Sequence, residues 1–558
     1  MCGIWTLINL CKDKPDVAKF LADFWALQNR GPDYSCFETF PQAWVGFHRL
    51  AIMDKSFQSN QPYILQETDK TVVFICNGEI YNFKELISKY SLDIEGNSDC
   101  LTIPKLYLKF CDDIDTWYKL FDREIKGEFS FVLLEFDHLK SLRKIFVSRD
   151  QIGIRPLYYH QPNANSKQLI FTSEIKGATN FNDTIIEYPP GFITKFEPNE
   201  FGALNVEKYD FNWIYQVEQK LDKDESYFLG KIRNSIINAV RRRLDADRPI
   251  AFLLSGGVDS SLVSAIGQKI CNVPIKTFCC GMKGGTDLSY AKMVADHIKS
   301  HHSEVYFTAE DGVNVIDEVI YATETWDTTT VRASVGQFMV CKHVGTKTDC
   351  KVVLVGEGPD EVCSSYLFNW YAPNGEELDK VAKEYVKKIH YFDCRRGDRC
   401  ISYWGLEGRV PLLDPEVIEA YWELPAEWRH PKYKGVEKWW LRKAFDGLDL
   451  LPDEVLWRKK EAFSDGVSSK EKSWHHIIQE KCDKEITDEM MEKSKGEWSH
   501  HYPKTKESYY FRKKYTEKFG VNRHEVIPNY WLPKWDRDGN EINEYMDPSA
   551  RALDIYDD

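Results

Sequence analysis

The sequence predicts two folded parts of different class: an α+β part over residues 1–197, then an α/β part with a parallel, doubly wound sheet. Three observations predict this. Up to residue 197 short strand-sized apolar runs cluster around a few helices, the pattern of sheets with helices laid against them. After residue 225 strands and helices alternate, and alternation implies right-handed crossovers that bury a parallel sheet on both faces. Between the two, residues 198–225 lack periodicity and become acidic, which places the linker there. The expected boundaries are 2–200 for the first domain, 201–225 for the linker, 226–535 for the second domain and 536–558 for an acidic, mobile tail.

In the first part strands are expected over 3–9, 43–53, 71–76, 127–136, 144–149, 155–160, 168–173 and 191–196. Helices are expected over 16–29, 82–90, 99–110 and 113–121, with Asn82 and Glu85 reading as a helix start. In the second part strands at 249–254, 275–280, 303–307 and 351–355 alternate with helices at 226–244, 260–269, 287–299, 312–325 and 332–345. Beyond about 365 the chain reads helical, and 470–497 reads as a solvated helix.

Composition narrows the class. A chain of 558 residues suits two to four domains and buries a core without staples. Net charge −14 argues against a nucleic-acid surface as the default. Apolar residues at 43% and aromatics at 14% describe a globular chain. No apolar run approaches the ~18 residues of a membrane span. The start MCGIWTLINL has no basic region ahead of an apolar one, so the expectation is a cytoplasmic protein. Its 15 cysteines include no C-x-x-C pair and are expected to be free thiols. His297 and His301 are four apart but lack the H-E-x-x-H frame, so zinc is not expected.

Cys2 precedes a small Gly3. Were Met1 removed, Cys2 would carry both a thiol and an α-amine of pKa ~7.7–8.0 able to take its proton. A buried cysteine at the start of a strand is the plainer alternative. The segment 77-NGE-79 follows an expected strand and by itself reads as a turn. Functionally, the Asn77 amide and the Gly78 N–H are two donors for a tetrahedral oxyanion. Arg49 could hold a carboxylate in two bonds, or make a surface ion pair. Asp99 could face an ammonium, or cap a helix.

The strand 249–254 runs into 255-SGGVDSS-261 and then a helix, an anion cradle of small residues at a helix N-terminus. It is not a Walker A loop, since no Lys follows the glycines in that frame. Pyrophosphate on the backbone with Mg²⁺ beside Asp259 is the sharper reading, and a tight turn the plainer one. A second loop, 356-GEGPDE-361, ends the strand 351–355 at the same sheet edge, where ligands of open α/β sheets bind. Asp360 suits Mg²⁺, and Glu357 suits an amine or a proton transfer. The segment 327-DTTTVRAS-334 adds Thr329 and Arg332 for an acidic substrate, or simply caps a helix. The segment 457-WRKKEAFSDG-466 adds Lys460, a cation for phosphate charge or part of a solvated face.

Taken together these segments resemble the glutamine-hydrolysing asparagine synthetases. The resemblance is carried by MCGIW, 30-RGPD-33, HRLAI, NGEIYN, 97-NSD-99, 127-GEFSF-131, 149-RDQIGIRPLY-158, LLSGGVDSS, TTTVRAS, GEGPDE, 404-WGLEGRVPLLD-414, RKKEAFSDG and 546-MDPSARA-552, in the family's order over nearly the whole chain. The resemblance implies an N-terminal nucleophile domain of αββα sandwich form and an ATP-pyrophosphatase synthetase domain. In the first, Cys2 would attack glutamine, Asn77 and Gly78 would hold the oxyanion, and Arg49, Leu50, Ile52, Glu79 and Asp99 would bind the substrate. In the second, ATP would lie on Leu253, Ser255, Gly256, Gly257, Asp259, Ser260, Cys280, Val355 and Gly356, with Mg²⁺ on Asp259 and Asp360. Thr329, Arg332 and Asp360 would bind aspartate, Glu357 would take a proton from ammonia, and Lys460 would steady phosphate. A β-aspartyl-AMP intermediate, an ammonia tunnel and a homodimer are further implications. Partners are thus glutamine, aspartate and ATP, with neither nucleic acid nor membrane. Val355 and Pro359 depart from the family's usual serines. The alternatives are a relative with another carboxylate acceptor, a glutaminase alone, or a non-catalytic scaffold; Cys2 argues against the β-lactam-forming relatives.

Overall fold

The computed structural model describes residues 1–10, 17–160, 167–199, 203–458 and 473–542. It divides into two compact units. Unit 1 comprises Met1–Trp213 with Asp245–Arg248 and Ser402–Glu407, and unit 2 comprises Ile214–Leu244, Pro249–Ile401 and Gly408–Asp558.

Unit 1 holds twelve strands. They are β1 (Gly3–Asn9), β2 (Tyr34–Phe40), β3 (Ala43–Arg49), β4 (Tyr63–Gln66), β5 (Lys70–Ile80) and β6 (Gly127–Asp137). There follow β7 (Leu142–Arg149), β8 (Tyr158–His160), β9 (Gln168–Thr172), β10 (Ile185–Glu187), β11 (Phe192–Pro198) and β12 (Leu204–Asp210). Two six-stranded sheets result, ordered β10-β8-β9-β1-β3-β2 and β12-β11-β7-β6-β5-β4. The core between them is built by alternate residues of each strand: Ile4 and Ile8, Val45 and Phe47, Val73 and Ile75, Val132 and Leu134, Ile145 and Val147, Leu169 and Phe171. That period of two is what pleated strands facing each other require. The other residues of the same strands are buried too, because helices cover the outer faces. Helix Ala18–Trp25 brings Phe24 against Trp5 and Phe37 of the first sheet. Helices Thr102–Phe110 and Ile114–Arg123 bring Tyr107, Trp117 and Phe121 onto Phe131 and Phe146 of the second. Unit 1 is therefore an αββα sandwich.

Three expectations are corrected here. Residues 77–79 are not a turn: β5 runs on through Ile80, and Asn77, Gly78 and Glu79 pair with Ser130, Phe129 and Glu128 of β6. Eleven paired positions outweigh the turn preference of Asn-Gly. Residues 204–210, read as part of the linker, form β12 beside β11, an edge strand whose exposed face carried no periodic signal. Strands β2, β4 and β10 had no counterpart in the reading. Asn82 does precede helix Phe83–Tyr90, but its side chain bonds the Glu124 carbonyl and the Lys126 N–H instead of closing a capping box.

Unit 2 is organised on a sheet in the order β15-β14-β13-β16-β17, with β13 (Ile250–Leu253), β14 (Lys276–Gly281), β15 (His301–Tyr306), β16 (Val352–Leu354) and β17 (Glu407–Arg409). The first four pair in parallel, with helices Val258–Ile270, Thr286–Ile298 and Thr328–Lys347 in the crossovers. The chain leaves β13 toward β14 on one side and later returns to β16 on the other, so the strand order reverses at β13, the position where such sheets bind ligands. The expected helix 312–325 is two, Ala309–Asn314 and Ile316–Thr323. The expected solvated helix 470–497 is also two, Trp474–Glu485 and Asp488–Lys493, and the first buries Trp474, Ile478 and Cys482. Trp535, expected to be the last residue of the second domain, is buried against Phe368. The tail beyond 542 lies outside the described residues. The fourteen described cysteines are free.

Candidate active sites

The first site forms at the ends of β1, β3 and β5. Gly3 of β1 pairs with His48 of β3, so Cys2 stands next to the Arg49–Ile52 segment. Its Sγ lies 3.8 Å from the Leu50 carbonyl, and Leu50 and Ile52 are buried. Burial pushes the Cys2 thiol up to about 11, against the pull of the N-terminal ammonium and the Arg49 guanidinium. The chain-start amine belongs to Met1, which is buried and donates to the Leu406 carbonyl at 3.2 Å. Burial brings that amine down to about 6. With Met1 in place the Cys2 nitrogen is an amide and cannot accept a proton.

Arg49 is held by oxygens other than carboxylate: the carbonyls of Met53, Asp54 and Ser56 and, at 2.6 Å, the Asn60 Oδ1. That shell orients the guanidinium without cancelling its charge. Asp99 accepts the Ile80 N–H at 2.7 Å, which ties it to the end of β5. Burial lifts its carboxyl to about 6, with the Glu407 carboxylate adding to the rise. Asn77 of β5 is fully buried, and its amide nitrogen and oxygen both lack a partner. An unsatisfied buried amide costs roughly 1–3 kcal/mol, and such a cost fits a group reserved for something absent. Gly78 is required because a Cβ there would stand 2.3 Å from the Glu128 carbonyl. Glu79 is buried beside it.

The sequence reading gave no role to two residues here. Arg30 of the RGPD motif donates to the Cys2 carbonyl at 2.9 Å and pairs with Glu174 at 2.5 Å, so it positions the Cys2 backbone. Glu407 bears on Met1, Cys2 and Asp99 together. The motif that contains it was legible, but its place beside Cys2 was not.

The second site is a cavity of about 180 Å³ in unit 2, at the carboxyl ends of β13 and β16. Leu253, Ser255, Gly257, Asp259, Ser260, Cys280, Val355, Gly356, Glu357 and Asp360 all line it. The loop after β13 turns sharply: Gly256 has φ +78°, and the Ser255 N–H donates to Ser260 Oγ at 3.1 Å. Gly256 itself does not line the cavity; Arg458 grips its carbonyl from behind at 3.3 Å and stacks on Tyr290. Gly356 lets the second loop close on the first, since a Cβ there would meet the Ser260 nitrogen at 2.5 Å. Pro359 is the first residue of helix Pro359–Val362, a position whose N–H is unused in any helix, so the departure from serine costs no bond there.

Glu357 accepts from Gln337 at 2.9 Å and lies 3.2 Å from Arg396, which also pairs with Asp393 at 2.5 Å. Burial raises the Glu357 carboxyl above its ordinary value while Arg396 opposes the rise. Glu361 rises well above the carboxylate range through burial and the nearby Asp393 and Asp360, and it accepts the Tyr366 hydroxyl. Asp259 and Asp360 converge on the ammonium of Lys438, at 2.5 and 2.6 Å. Lys438, Arg396, Gln337 and Asp393 were absent from the sequence reading; they lie outside the motifs and carried no local signal, whereas Glu361 was one of the three carboxylates of the GEGPDE loop.

Two residues expected to bind the aspartate substrate, Thr329 and Arg332, do not line this cavity. Arg332 is clamped by Glu507 through two bonds of 2.7 and 2.5 Å, and Thr329 stands in the first turn of helix Thr328–Lys347 with its hydroxyl unpaired. Glu507 is 175 residues away in sequence, so only the fold shows that the guanidinium is engaged. Lys460 lies outside the described residues.

Comparison with known proteins follows the same division. The glutamine amidotransferase domain family matches residues 1–196, and the asparagine synthase family matches residues 231–382 and 371–539. The chain is 37% identical over 584 residues to the asparagine synthetase [glutamine-hydrolyzing] of Gallus gallus, covering 100% of this chain and 99% of that one. It is 36% identical over 582 residues to the enzyme of the same name from Homo sapiens, again covering 100% and 99%. Among solved structures, glutamine phosphoribosylpyrophosphate amidotransferase from B. subtilis is similar over 50% of this chain and 67% of that chain, with 14% identity and a TM-score of 0.30.

Proposed function

The chain belongs to the family of glutamine-hydrolysing asparagine synthetases, and from that premise we propose how its residues divide the reaction. The activity is that of an ATP-dependent ligase: the aspartate side-chain carboxyl is activated, glutamine supplies the amide nitrogen, and asparagine and glutamate leave.

In unit 1, removal of Met1 exposes the Cys2 α-amine, which takes the thiol proton as Sγ attacks the glutamine amide carbon. The Asn77 amide and the Gly78 N–H take the oxyanion, and collapse releases ammonia and leaves a thioester that water clears. Arg49 binds the glutamine carboxylate and Asp99 its ammonium, while Glu79, Leu50 and Ile52 shape the pocket. The observation that carries this half is Asn77, a fully buried amide with neither polar atom bonded.

In unit 2, Ser255, Gly256, Gly257 and Ser260 cradle the ATP phosphates, and Leu253, Cys280, Val355 and Gly356 border the nucleotide. The convergence of the Asp259 and Asp360 oxygens on one cation fits a divalent ion, since Mg²⁺ is commonly held by one or two carboxylates together with substrate phosphates. Bound there, Mg²⁺ would neutralise phosphate charge. Asp360 and Asp393 offer carboxylates to the aspartate ammonium. Thr329 keeps an unpaired hydroxyl for the acceptor, whereas Arg332 would have to leave Glu507 first. Glu357 takes a proton from the attacking ammonia. Its raised pKa suits that exchange, and Gln337 and Arg396 hold it in place. Lys460 remains assigned to phosphate on the family's pattern, as do a β-aspartyl-AMP intermediate, a homodimer and a cytoplasmic location.

The test follows the nitrogen. Tag-free protein is incubated with aspartate, Mg²⁺–ATP and glutamine labelled at its amide nitrogen. Labelled asparagine together with AMP is the expected result. Glutamate and labelled ammonia without asparagine would overturn the assignment of the synthetase cavity and leave a glutaminase.

A further inference from the structure

Lys438 is unused by either half-reaction derived above. It precedes helix Trp439–Phe445 and holds a left-handed backbone, φ +57°. Such a conformation in a residue other than glycine persists where the surroundings enforce it. Its side chain is 4% exposed, and Nζ bridges Asp259 Oδ2 and Asp360 Oδ1.

We propose that Lys438 is a resident cation that fills the metal's place between Asp259 and Asp360 until nucleotide arrives, so that Mg²⁺ enters only together with ATP. The inference rests on reading those two carboxylates as the metal's. Two carboxylates converging on one point repel each other, and a cation between them offsets that repulsion. Lysine suits this task because it is a compact charge with three donors on a flexible stem, able to bridge two oxygens and then swing away. Mg²⁺ bonds oxygen at about 2.0–2.1 Å. An ammonium already 2.5 and 2.6 Å from the same two oxygens leaves no room for it and repels it. Metal and ammonium therefore compete for these oxygens. Polyphosphate shifts the balance in two ways. It adds oxygen ligands for the metal, and it gives the displaced ammonium a new negative partner on the Ser255–Ser260 loop, which lines the same cavity. Metal and nucleotide then each raise the affinity for the other, by equal factors as linkage demands.

The test measures binding of Mn²⁺ by its electron paramagnetic resonance, with and without a non-hydrolysable ATP analogue, on full-length protein. K438M, which removes the charge at similar length, is expected to bind Mn²⁺ without nucleotide at least ten-fold more tightly than wild type. K438R, which keeps the charge, is expected to behave as wild type. The analogue is expected to remove most of the difference. Wild type binding Mn²⁺ without nucleotide as tightly as K438M overturns the proposal. Should K438M fail to fold, wild type decides: one tight Mn²⁺ per chain without nucleotide, abolished by D360N, overturns the proposal, and Mn²⁺ retained only with the analogue supports it. Failure of the underlying metal reading has its own signature, Mn²⁺ bound with the analogue equally well in wild type and D360N.

Discussion

At the scale of single residues, the first site is held in a state that costs stability. Asn77 is buried with its amide unspent. Asn77→Ala is expected to lower glutamine hydrolysis by about 10²–10³-fold, the usual effect of removing one oxyanion donor. Its urea unfolding free energy should change by less than about 1 kcal/mol, since no bond is lost and an unpaired group is removed. A large loss of stability would mean that the amide is structural. Asp99 makes the same point through pH. Burial lifts its carboxyl to about 6, above the ordinary value of 3.8. The folded state thus binds this proton more tightly than the unfolded state. The resulting stability is fully present below 3.8 and is lost as pH rises through 6. Ionised Asp99 therefore costs the fold on the order of 3 kcal/mol at neutral pH. On the proposed role of Asp99 as partner of the glutamine ammonium, only the ionised form binds, so KM for glutamine is expected to rise about ten-fold between pH 7 and pH 5. Asp99→Asn should raise KM, flatten that profile and stabilise the protein at pH 7. A profile in Asp99→Asn that still bends near 6 would assign the titration to another group.

At the scale of elements, local signals served well where periodicity was strong and failed where pairing decided. β1, β6 and β7 announce themselves as apolar runs, and the strand–loop–helix units of the phosphate cradle announce themselves through their glycines. The NGE segment misleads because Asn-Gly is a turn signal in isolation, while pairing with β6 carries the strand through it. This matters for chemistry, because the strand fixes Asn77, Gly78 and Glu79 on a rigid sheet instead of a loop. Gly78→Ala would set a methyl 2.3 Å from the Glu128 carbonyl and 2.6 Å from the Phe129 Cα. We expect it to push β5 from β6, destabilise by about 1–3 kcal/mol and cut glutamine hydrolysis more than 100-fold while ATP binding stays intact. Unchanged hydrolysis would show that β5 can shift without moving Asn77. β12 was missed for the opposite reason: its side chains are mostly exposed, so nothing periodic marks it.

At the scale of the whole molecule, the proposed division assigns one half-reaction to each of the two units, so the residues of each set can be broken separately. Cys2→Ala is expected to abolish glutamine-dependent synthesis while ammonium still supports asparagine formation. Glu357→Gln is expected to reduce synthesis at least 100-fold while glutamine hydrolysis stays within a few-fold of wild type. Measuring both nitrogen sources on both variants gives a crossed pattern. Equal loss of all activities in either variant would signal a folding defect or a wrong division of labour.

The sequence by itself determined the two classes of fold, their order and most of the residues that line the two candidate sites. Apolar periodicity is a local property, and motifs such as MCG, NGE and SGGVDSS are each confined to a few consecutive residues, so each can be read without knowing the fold. The tertiary structure decided which charges are free to act. Arg332 is engaged by Glu507, the Asp259–Asp360 pair is bridged by Lys438, and Asp99 is lifted in pKa by burial. Each of these depends on a partner distant in the chain or on exclusion of water. Neither has a local signature, because charge pairing and desolvation are set by distances in space that spacing along the chain does not encode.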